Sequence, residues 1–273
     1  MGADYLNVSR QYKGYHYTSL APEKLEYLHK RSLEMFIEAK EIFDANNIKY
    51  IICGGTLLGA YCYGKFIPWD DDVDVCIFEE DYDKARECLI DGLSNRTKLQ
   101  CTKTDSRYYI GWMKLRDANS HVYPDTPFKE NGVWVDVYKL ISTTKIDAPV
   151  LRAKENLDYL ERRFAAGGLT REEYFNRLEQ RKLHEALADA VETATLQKHN
   201  GEEDYDMYTI RTAAAISVKK EWVFPLKHVV FEGVDVTTFH DPEKYLIQHY
   251  GPNFGQFPAD ELRNVSIKDI QIN

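Results

Sequence analysis

Residues 53–78 read CGGTLLGAYCYGKFIPWDDDVDVCIF and carry the strongest signal in the chain. Four aspartates, Asp70, Asp71, Asp72 and Asp74, lie within five positions of this stretch, and Asp74 is part of the apolar run VDVCIF. Burying a carboxylate among apolar residues is costly unless a partner compensates its charge. A divalent cation is such a partner, so the stretch predicts a metal site.

The first half of the stretch predicts a turn between a buried strand that ends at Cys53 and a short helix over Leu57 to Tyr63. Glycines at such a turn admit a ligand close to the backbone. The free N–H groups at a helix start favour phosphate oxygens. Gly54, Gly55 and Thr56 are therefore candidate phosphate-binding residues, with an ordinary tight turn as the alternative.

The second half predicts a strand over Asp71 to Phe78. Side chains alternate between the two faces of a strand, so Asp70, Asp72 and Asp74 share one face if the strand begins that early. Two such carboxylates can chelate one Mg²⁺ or bridge two ions, because oxygen ligands suit this metal. A solvated acidic turn is the alternative.

Two later segments, 108–116 and 132–140, also predict strands. Asp136 is an isolated acid in the apolar second one, which repeats the pattern of Asp74 and strengthens the prediction of a metal site. Lys114 and Arg116 share a face of the first one and are candidates for phosphate contact. The alternative is a pair of solvated basic residues.

The composition narrows the class of protein. The 273 residues are 44 % hydrophobic and carry a net charge of −9, which argues against non-specific nucleic-acid binding. Five cysteines without a CxxC motif indicate reduced thiols of a cytosolic protein. No signal peptide is expected. No apolar run approaches the roughly 20 residues of a spanning helix, so any membrane contact is expected to be peripheral.

The remaining chain alternates helical and strand patterns. Charged helices follow the last predicted acidic strand, the second of them opened by a capping box at Thr170 and continuing through Leu183. A strand over Trp222 to Pro225, a hairpin that turns at Glu232-Gly233 and a helix over 243–250 come next. We expect the last fifteen residues to be peripheral.

The order of these motifs resembles polymerase β-type nucleotidyltransferases: Gly54-Gly55, then Asp72-Val-Asp74, then the distant Asp136. More narrowly, residues 54–75 resemble the signature of the LicD family, which includes fukutin and fukutin-related protein. Further similarities are KLRD at 114–117, WVDVY at 134–138, and FPL, FEG and YLIQHYG in the tail. The family usually places a histidine and a basic cluster before Phe-Ile-Pro-Trp, where this chain has Tyr61–Lys65.

The resemblance implies an α+β fold. Its core would be the polymerase β-type nucleotidyltransferase core, a mixed sheet with flanking helices, joined by a helical insertion and a C-terminal strand–helix segment. We expect an N-terminal lead-in and the catalytic core in residues 1–146. The insertion would span 147–200, and an acceptor-side segment packed on the core would span 201–273.

The resemblance also implies a metal-dependent phosphotransferase. Such an enzyme moves phosphocholine or a phosphorylated polyol from a CDP-linked donor to a glycan or glycolipid precursor of lipopolysaccharide, teichoic acid or capsule. It would work in the cytoplasm, at the inner membrane surface. Asp72 and Asp74 would hold Mg²⁺ or Mn²⁺, and Asp136 would be the third ligand and a general base. Two ions about 4 Å apart would stabilise the attacking and leaving oxygens. Supporting residues would be Trp69, Asp70 and Asp71.

Three other functions fit parts of this pattern. A nucleotidyltransferase that attaches a nucleotide to a small phosphorylated or sugar acceptor would use the same carboxylates. A Mn²⁺-dependent glycosyltransferase with a DxD motif is disfavoured by the spacing from Gly54-Gly55 to Asp72. A non-enzymatic nucleotide- or metal-binding module is disfavoured because all three acids are present.

Overall fold

The computed structural model describes residues 20–211, 216–256 and 267–272. The lead-in predicted at the N-terminus lies outside these ranges, apart from Leu20. Within them the chain folds as a mixed α+β structure whose curled sheet has helices packed on it. This agrees with the α+β class expected from the sequence.

Helices occur throughout the described chain. They are α1 (Pro22–Ala45), α2 (Gly54–Tyr63), α3 (Glu79–Gly92), α4 (Ala148–Ala165), α5 (Arg171–Gln180), α6 (Leu183–His199), α7 (Lys220–Val223) and α8 (Pro242–Tyr250). None of these segments combines the length and the apolar character that a membrane-crossing helix requires.

The strands of the described residues form one large sheet and two small ones. They are β1 (Tyr50–Ile52), β2 (Asp74–Phe78), β3 (Thr97–Gln100), β4 (Met113–Asp117), β5 (Ser120–Tyr123), β6 (Trp134–Thr144), β7 (Asp206–Ile210), β8 (Ile216–Lys219), β9 (Lys227–Phe231), β10 (Val234–Thr238) and β11 (Asp269–Ile272). The large sheet has the order β1-β2-β6-β4-β3, with β7 on the far half of β6 and β8 beside it. The pair β2–β6 is parallel, whereas β1–β2, β3–β4 and β4–β6 are antiparallel.

The two faces of this sheet differ in chemistry. Alternate residues of β2, β4 and β6, such as Val75, Leu115 and Val137, are buried in the main hydrophobic core together with residues of α1 and α3. The intervening residues include Asp74, Asp136 and Lys114, which the strand register places side by side. The alternation along each strand thus separates an apolar core from a polar site.

Two predicted strands are shorter than the sequence indicates. The strand predicted from Asp71 begins at Asp74, and in the loop ahead of it the Asp71 carboxylate accepts a hydrogen bond from the backbone N–H of Ile267. The strand predicted from Tyr108 begins at Met113. Helix α4 covers the residues before it, and Arg162 bonds the Tyr109 carbonyl oxygen at 3.1 Å.

In the sequence, the helices α4, α5 and α6 connect β6 to β7, and these two strands are neighbours in the sheet. The capping box at Thr170 is present, as predicted. The predicted continuous helix through Leu183 is wrong, because Lys182 has a positive φ of 46° and separates α5 from α6. These helices share a small apolar cluster of their own. The domain boundaries remain a prediction.

The C-terminal part contains one confirmed hairpin and two corrections. Strands β9 and β10 form the hairpin predicted at Glu232-Gly233. Residues 220–223 are a helical turn, not part of the predicted strand, because Phe224 N–H bonds back to the Lys220 carbonyl at 3.2 Å. Residues 267–272 are not peripheral: β11 pairs with β5, and Ile270 is fully buried.

Candidate active site

Three carboxylates meet at one edge of the large sheet. Asp74 opens β2, and its register partner on the parallel strand β6 is Asp136. Asp72 lies two residues before Asp74, outside the strand. One carboxylate oxygen from each of the three lies within 4.8 Å of the others. The structure therefore brings together the three acids that the sequence predicts as metal ligands.

The residues around Gly54 hold Asp74 in place from both sides of its backbone. Cys53 N–H donates to the Asp74 carbonyl at 3.1 Å, and Asp74 N–H donates to the Thr56 hydroxyl at 2.8 Å. The N–H of Gly55 donates to Asp74 Oδ2 at 3.3 Å. The Gly-Gly-Thr segment at the start of α2 thus holds Asp74 in position through these bonds, which gives a structural reason for its place ahead of the acids in the sequence.

Both glycines of this segment leave room for carboxylates. A Cβ at Gly54 would lie 2.1 Å from Asp74 Oδ2, and the φ of Gly54 is +55°. A Cβ at Gly55 would lie 2.6 Å from Asp70 Oδ2. Gly54 therefore meets two requirements that only glycine satisfies, a left-handed backbone and close approach of an oxygen.

The backbone donors of these glycines already have protein partners. Gly54 N–H donates to the Tyr245 hydroxyl at 2.8 Å, and that hydroxyl lies 3.1 Å from His249 Nδ1. Burial lowers the pKa of His249 to about 4, so the neutral ring can accept the Tyr245 proton. Phosphate binding by Gly54, Gly55 and Thr56 stays a prediction, whereas their contacts with Asp74 are direct.

The carboxylates strongly disfavour one another's charge. Although part of Asp74 reaches the surface, burial and the nearby charge of Asp136 raise its pKa to about 7, against a smaller lowering by a hydrogen bond with Tyr138. Burial, followed by the charge of Asp74, also raises the pKa of Asp72 and of Asp70 well above the usual range. Such a cluster gains most from a cation that neutralises it.

The donor set fits a hard divalent cation. Its oxygens are those that Mg²⁺ and Mn²⁺ prefer. Asp70 Oδ2 is buried without a hydrogen-bond partner beside this group, as expected of an acceptor oriented toward a cation. Asp70, Asp71 and Asp72 also bring carboxylate oxygens within 4.8 Å of one another. The residues present therefore match the metal that the resemblance implies.

The predicted supporting residues fix the loop ahead of β2. Asp71 Oδ2 accepts from Ile267 N–H at 3.1 Å. The carbonyl of Asp70 is 2.8 Å from His29 Nε2, and the His29 ring stacks on Phe66. Trp69 is buried with Ile67 in the loop that follows α2, and Leu58 of α2 packs against them. These contacts connect the acidic loop to the tail and to α1.

Lys114 and Arg116 point to the same face as Asp136 and are both buried. Lys114 Nζ lies 2.6 Å and 2.8 Å from the two oxygens of Asp136. Arg116 donates to Gln100 Oε1 and to the Gly132 carbonyl, each at 2.9 Å. The structure thus brings Lys114 into the acidic cluster, whereas Arg116, two residues further along β4, bonds Gln100 and Gly132 instead.

Three aromatic residues were not among the predicted site residues. Trp112 Nε1 donates to Asp136 Oδ1 at 2.5 Å, and Trp134 Nε1 is 3.0 Å from both Asp72 Oδ2 and Asp136 Oδ2. Tyr138 bonds Asp74. The alternation in WVDVY was a usable signal, because it places Trp134 and Tyr138 on the Asp136 face.

Comparison with known proteins agrees with this architecture. Residues 47–149 match the family model described as LicD/FKTN/FKRP, nucleotidyltransferase domain. This range contains the three carboxylates, the Gly-Gly-Thr segment and Lys114. It does not contain α8, which supplies Tyr245.

Relatives occur in bacteria and in mammals. Lipopolysaccharide cholinephosphotransferase LicD of Haemophilus influenzae is 27 % identical over 92 residues, which are 33 % of this chain and 34 % of that protein. Ribitol 5-phosphate transferase FKRP of Mus musculus is 31 % identical over 111 residues, 35 % of this chain and 21 % of that protein. The uncharacterized protein RP689 of Rickettsia prowazekii is 39 % identical over 71 residues, 24 % of this chain and 27 % of that protein.

The fold and the site define an α+β domain with clustered carboxylates, which is compatible with a nucleotidyltransferase-like core. Residues 47–149 match the LicD/FKTN/FKRP family model, which confirms the resemblance seen in the sequence. Each match spans about a third or less of the length of the curated relative.

Proposed function

We propose that this protein is a metal-dependent phosphotransferase. It would move phosphocholine or a phosphorylated polyol from a CDP-linked donor to a glycan or glycolipid acceptor. The observation that carries the proposal is the meeting of Asp72, Asp74 and Asp136 inside the LicD/FKTN/FKRP domain. The named relatives, a cholinephosphotransferase and a ribitol 5-phosphate transferase, support the class of transferred group.

The proposed reaction exchanges the phosphoanhydride bond of the donor for a phosphoester bond to the acceptor. An acceptor hydroxyl oxygen attacks the phosphorus that bears the choline or polyol, and the bond from that phosphorus to the bridging oxygen of CMP breaks. CMP leaves with the bonding electron pair, and the hydroxyl proton passes to a base. Phosphoryl transfer of this kind depends mainly on positioning and charge neutralisation.

The residues of the cluster divide this work. Asp72 and Asp74 would hold a divalent cation, which when bound neutralises phosphate charge. Gly55 and Thr56 orient Asp74 through the bonds described above. Lys114 would contact a phosphate oxygen from the β4 side. Tyr245 would hold the start of α2 in place during transfer.

The acceptor suggests where the protein would act. A glycan or glycolipid precursor of lipopolysaccharide, teichoic acid or capsule would be modified in the cytoplasm, at the inner membrane surface. We propose a peripheral contact with that surface rather than insertion.

The proposal is tested with purified protein, Mg²⁺ and CDP-choline, CDP-glycerol or CDP-ribitol, with release of CMP as the measurement. CMP release together with the phosphorylated alcohol on a glycan acceptor is the expected result. Asp74→Asn should lose CMP release. Asp91 is an exposed acid on α3, and Asp91→Asn should retain CMP release. Retained turnover in Asp74→Asn would contradict the assignment of the site.

The same assay separates the other functions. The family description names a nucleotidyltransferase domain, which favours that activity as a second candidate. A nucleotide attached to the product would identify it. Release of UDP from UDP-sugars would identify a glycosyltransferase. Nucleotide binding without turnover, with and without glycans, would identify a binding module.

A further inference from the structure

Lys114 and Asp136 form a buried ion pair at the centre of the acidic site. Strands β4 and β6 pair these two residues in register, so their side chains emerge side by side. Lys114 is 7 % exposed and Asp136 is 3 % exposed. The ammonium group touches both carboxylate oxygens, at 2.6 Å and 2.8 Å. This is the geometry of a fixed cation rather than of a mobile surface lysine.

The acceptor positions of Asp136 are all in use. Each oxygen receives one contact from Lys114 and one from an indole N–H, Trp112 on Oδ1 at 2.5 Å and Trp134 on Oδ2 at 3.0 Å. A carboxylate offers about four lone-pair positions. A metal ion bound to Asp136 would have to displace one of these donors.

Asp72 and Asp74 differ in this respect. Asp72 accepts a hydrogen bond from the Trp134 N–H, which it shares with Asp136. Asp74 is bonded by Gly55 and Tyr138. Of Asp72, Asp74 and Asp136, the first two thus receive fewer donors and keep acceptor positions for a cation.

The surroundings of Lys114 maintain its position. Its Nζ lies 4.7 Å from the centre of the Trp134 ring, a favourable contact for a cation. Two of its three N–H donors face Asp136, which leaves one for a further oxygen.

We propose that the site binds a single divalent ion through Asp72 and Asp74, and that Lys114, held by Asp136, supplies the second positive charge. Asp136 is then the counter-ion of Lys114 and neither a metal ligand nor the general base. The contact of Lys114 with a transferred phosphate rests on the proposed function. The number of bound ions and the role of Asp136 are independent of the proposed function.

The test counts bound metal in the absence of donor and acceptor. Mn²⁺ is the probe, and electron paramagnetic resonance measures its free concentration during titration of the full chain. We expect one Mn²⁺ per chain. Asp74→Asn should weaken binding at least about tenfold, whereas Asp136→Asn should keep the affinity within about threefold, because only the former is a ligand. Circular dichroism establishes that each variant is folded.

Lys114→Met provides a second measurement. This substitution keeps the length of the side chain and removes its charge, so the repulsion between the ammonium group and the ion disappears. We expect the affinity for Mn²⁺ to rise at least about threefold. Lys98→Met, an exposed position on the neighbouring strand β3, is the matched control and should change nothing.

Three results would overturn the inference. They are two Mn²⁺ ions per chain, loss of binding in Asp136→Asn comparable to that in Asp74→Asn, or an unchanged or lower affinity in Lys114→Met. The transfer assay is separate: one bound ion without transfer would defeat the proposed function alone. Two bound ions with transfer would defeat the inference alone.

Discussion

At the residue scale, the site depends on carboxylates placed where their charge is costly. Asp74 opens a buried strand beside Asp136, and neither lies in an environment that water can fully solvate. Residues that are expensive to bury are retained where a ligand offsets the cost. The chemistry of the site and its effect on stability are therefore linked through the same side chains.

The pKa of Asp74 makes a prediction about stability and pH. The group titrates near about 4 in the unfolded chain and at about 7 in the folded protein. Between these pH values the folded state binds more protons than the unfolded state, so stability falls as pH rises. Asn at this position does not titrate. We compare melting temperatures in EDTA. At about pH 4 the melting temperature of Asp74→Asn should be close to that of the wild type. At about pH 8 it should be higher than that of the wild type.

Differential scanning fluorimetry at both pH values measures this difference. Added Mg²⁺ should raise the melting temperature of the wild type at the higher pH and leave that of Asp74→Asn unchanged. A difference between the two proteins that does not depend on pH would contradict the assigned role of the Asp74 charge.

Gly54 makes a second prediction at this scale. In Gly54→Ala the new methyl group would lie 2.1 Å from Asp74 Oδ2, so Asp74 must move and Mn²⁺ binding should be lost. The matched control is Gly167→Ala. Gly167 also has a positive φ, of 73°, but nothing lies within 4 Å of its Cβ position. Both variants should lose about 1–2 kcal/mol from the left-handed backbone, and only Gly54→Ala should lose metal binding by titration.

At the scale of elements, α8 holds the start of α2. The Tyr245 hydroxyl receives Gly54 N–H, and the Tyr245 ring is fully buried and stacks on Phe239 at 4.3 Å. A helix from the C-terminal part thus sets the position of the segment that surrounds Asp74. The motif YLIQHYG contributes through this contact, which the residue pattern alone did not indicate.

Tyr245→Phe tests this contact. It keeps the buried ring and removes the oxygen, so Gly54 N–H loses its partner and the free energy of unfolding should fall by about 1–3 kcal/mol. Urea denaturation measures the change. Tyr61→Phe, at an exposed position on α2, should stay within about 0.5 kcal/mol of the wild type. Equal effects of the two substitutions would show that the Tyr245 hydroxyl does not support the helix.

At the scale of the whole molecule, residues 267–272 join the C-terminal tail to β5 and to the acidic loop. Strand β11 pairs with β5, and the backbone just before it bonds Asp71 in the acidic loop. The expectation of a peripheral tail was therefore wrong for residues 267–272. The tail is mostly polar in sequence, so its few apolar residues, which become buried when β11 pairs with β5, gave no clear pattern.

The two isoleucines of β11 provide a matched pair. Ile270 is fully buried against Val122 and its neighbours, whereas Ile272 is 46 % exposed. Ile270→Ala should lower the free energy of unfolding by about 2–5 kcal/mol, and Ile272→Ala by less than about 0.5 kcal/mol. Chemical denaturation of both variants measures this. Similar losses would mean that β11 is not packed as described.

The sequence by itself determined which residues share a face and which class of domain they belong to. Acids at alternate positions of apolar strands are a local pattern set by the two-residue period of a strand. The boundaries of the strands over 71–78 and 108–116 were not predictable from local patterns, because distant residues, Ile267 and Arg162, contact the segments ahead of them.

Only the tertiary structure decided the partners of these residues. The bond from Gly54 to Tyr245 joins positions 191 residues apart, and the bond from Ile267 to Asp71 joins positions 196 apart. The pairing of Lys114 with Asp136 depends on the register between β4 and β6. Sequence patterns fix the direction of a side chain along its own element, whereas register and packing between elements fix what it meets.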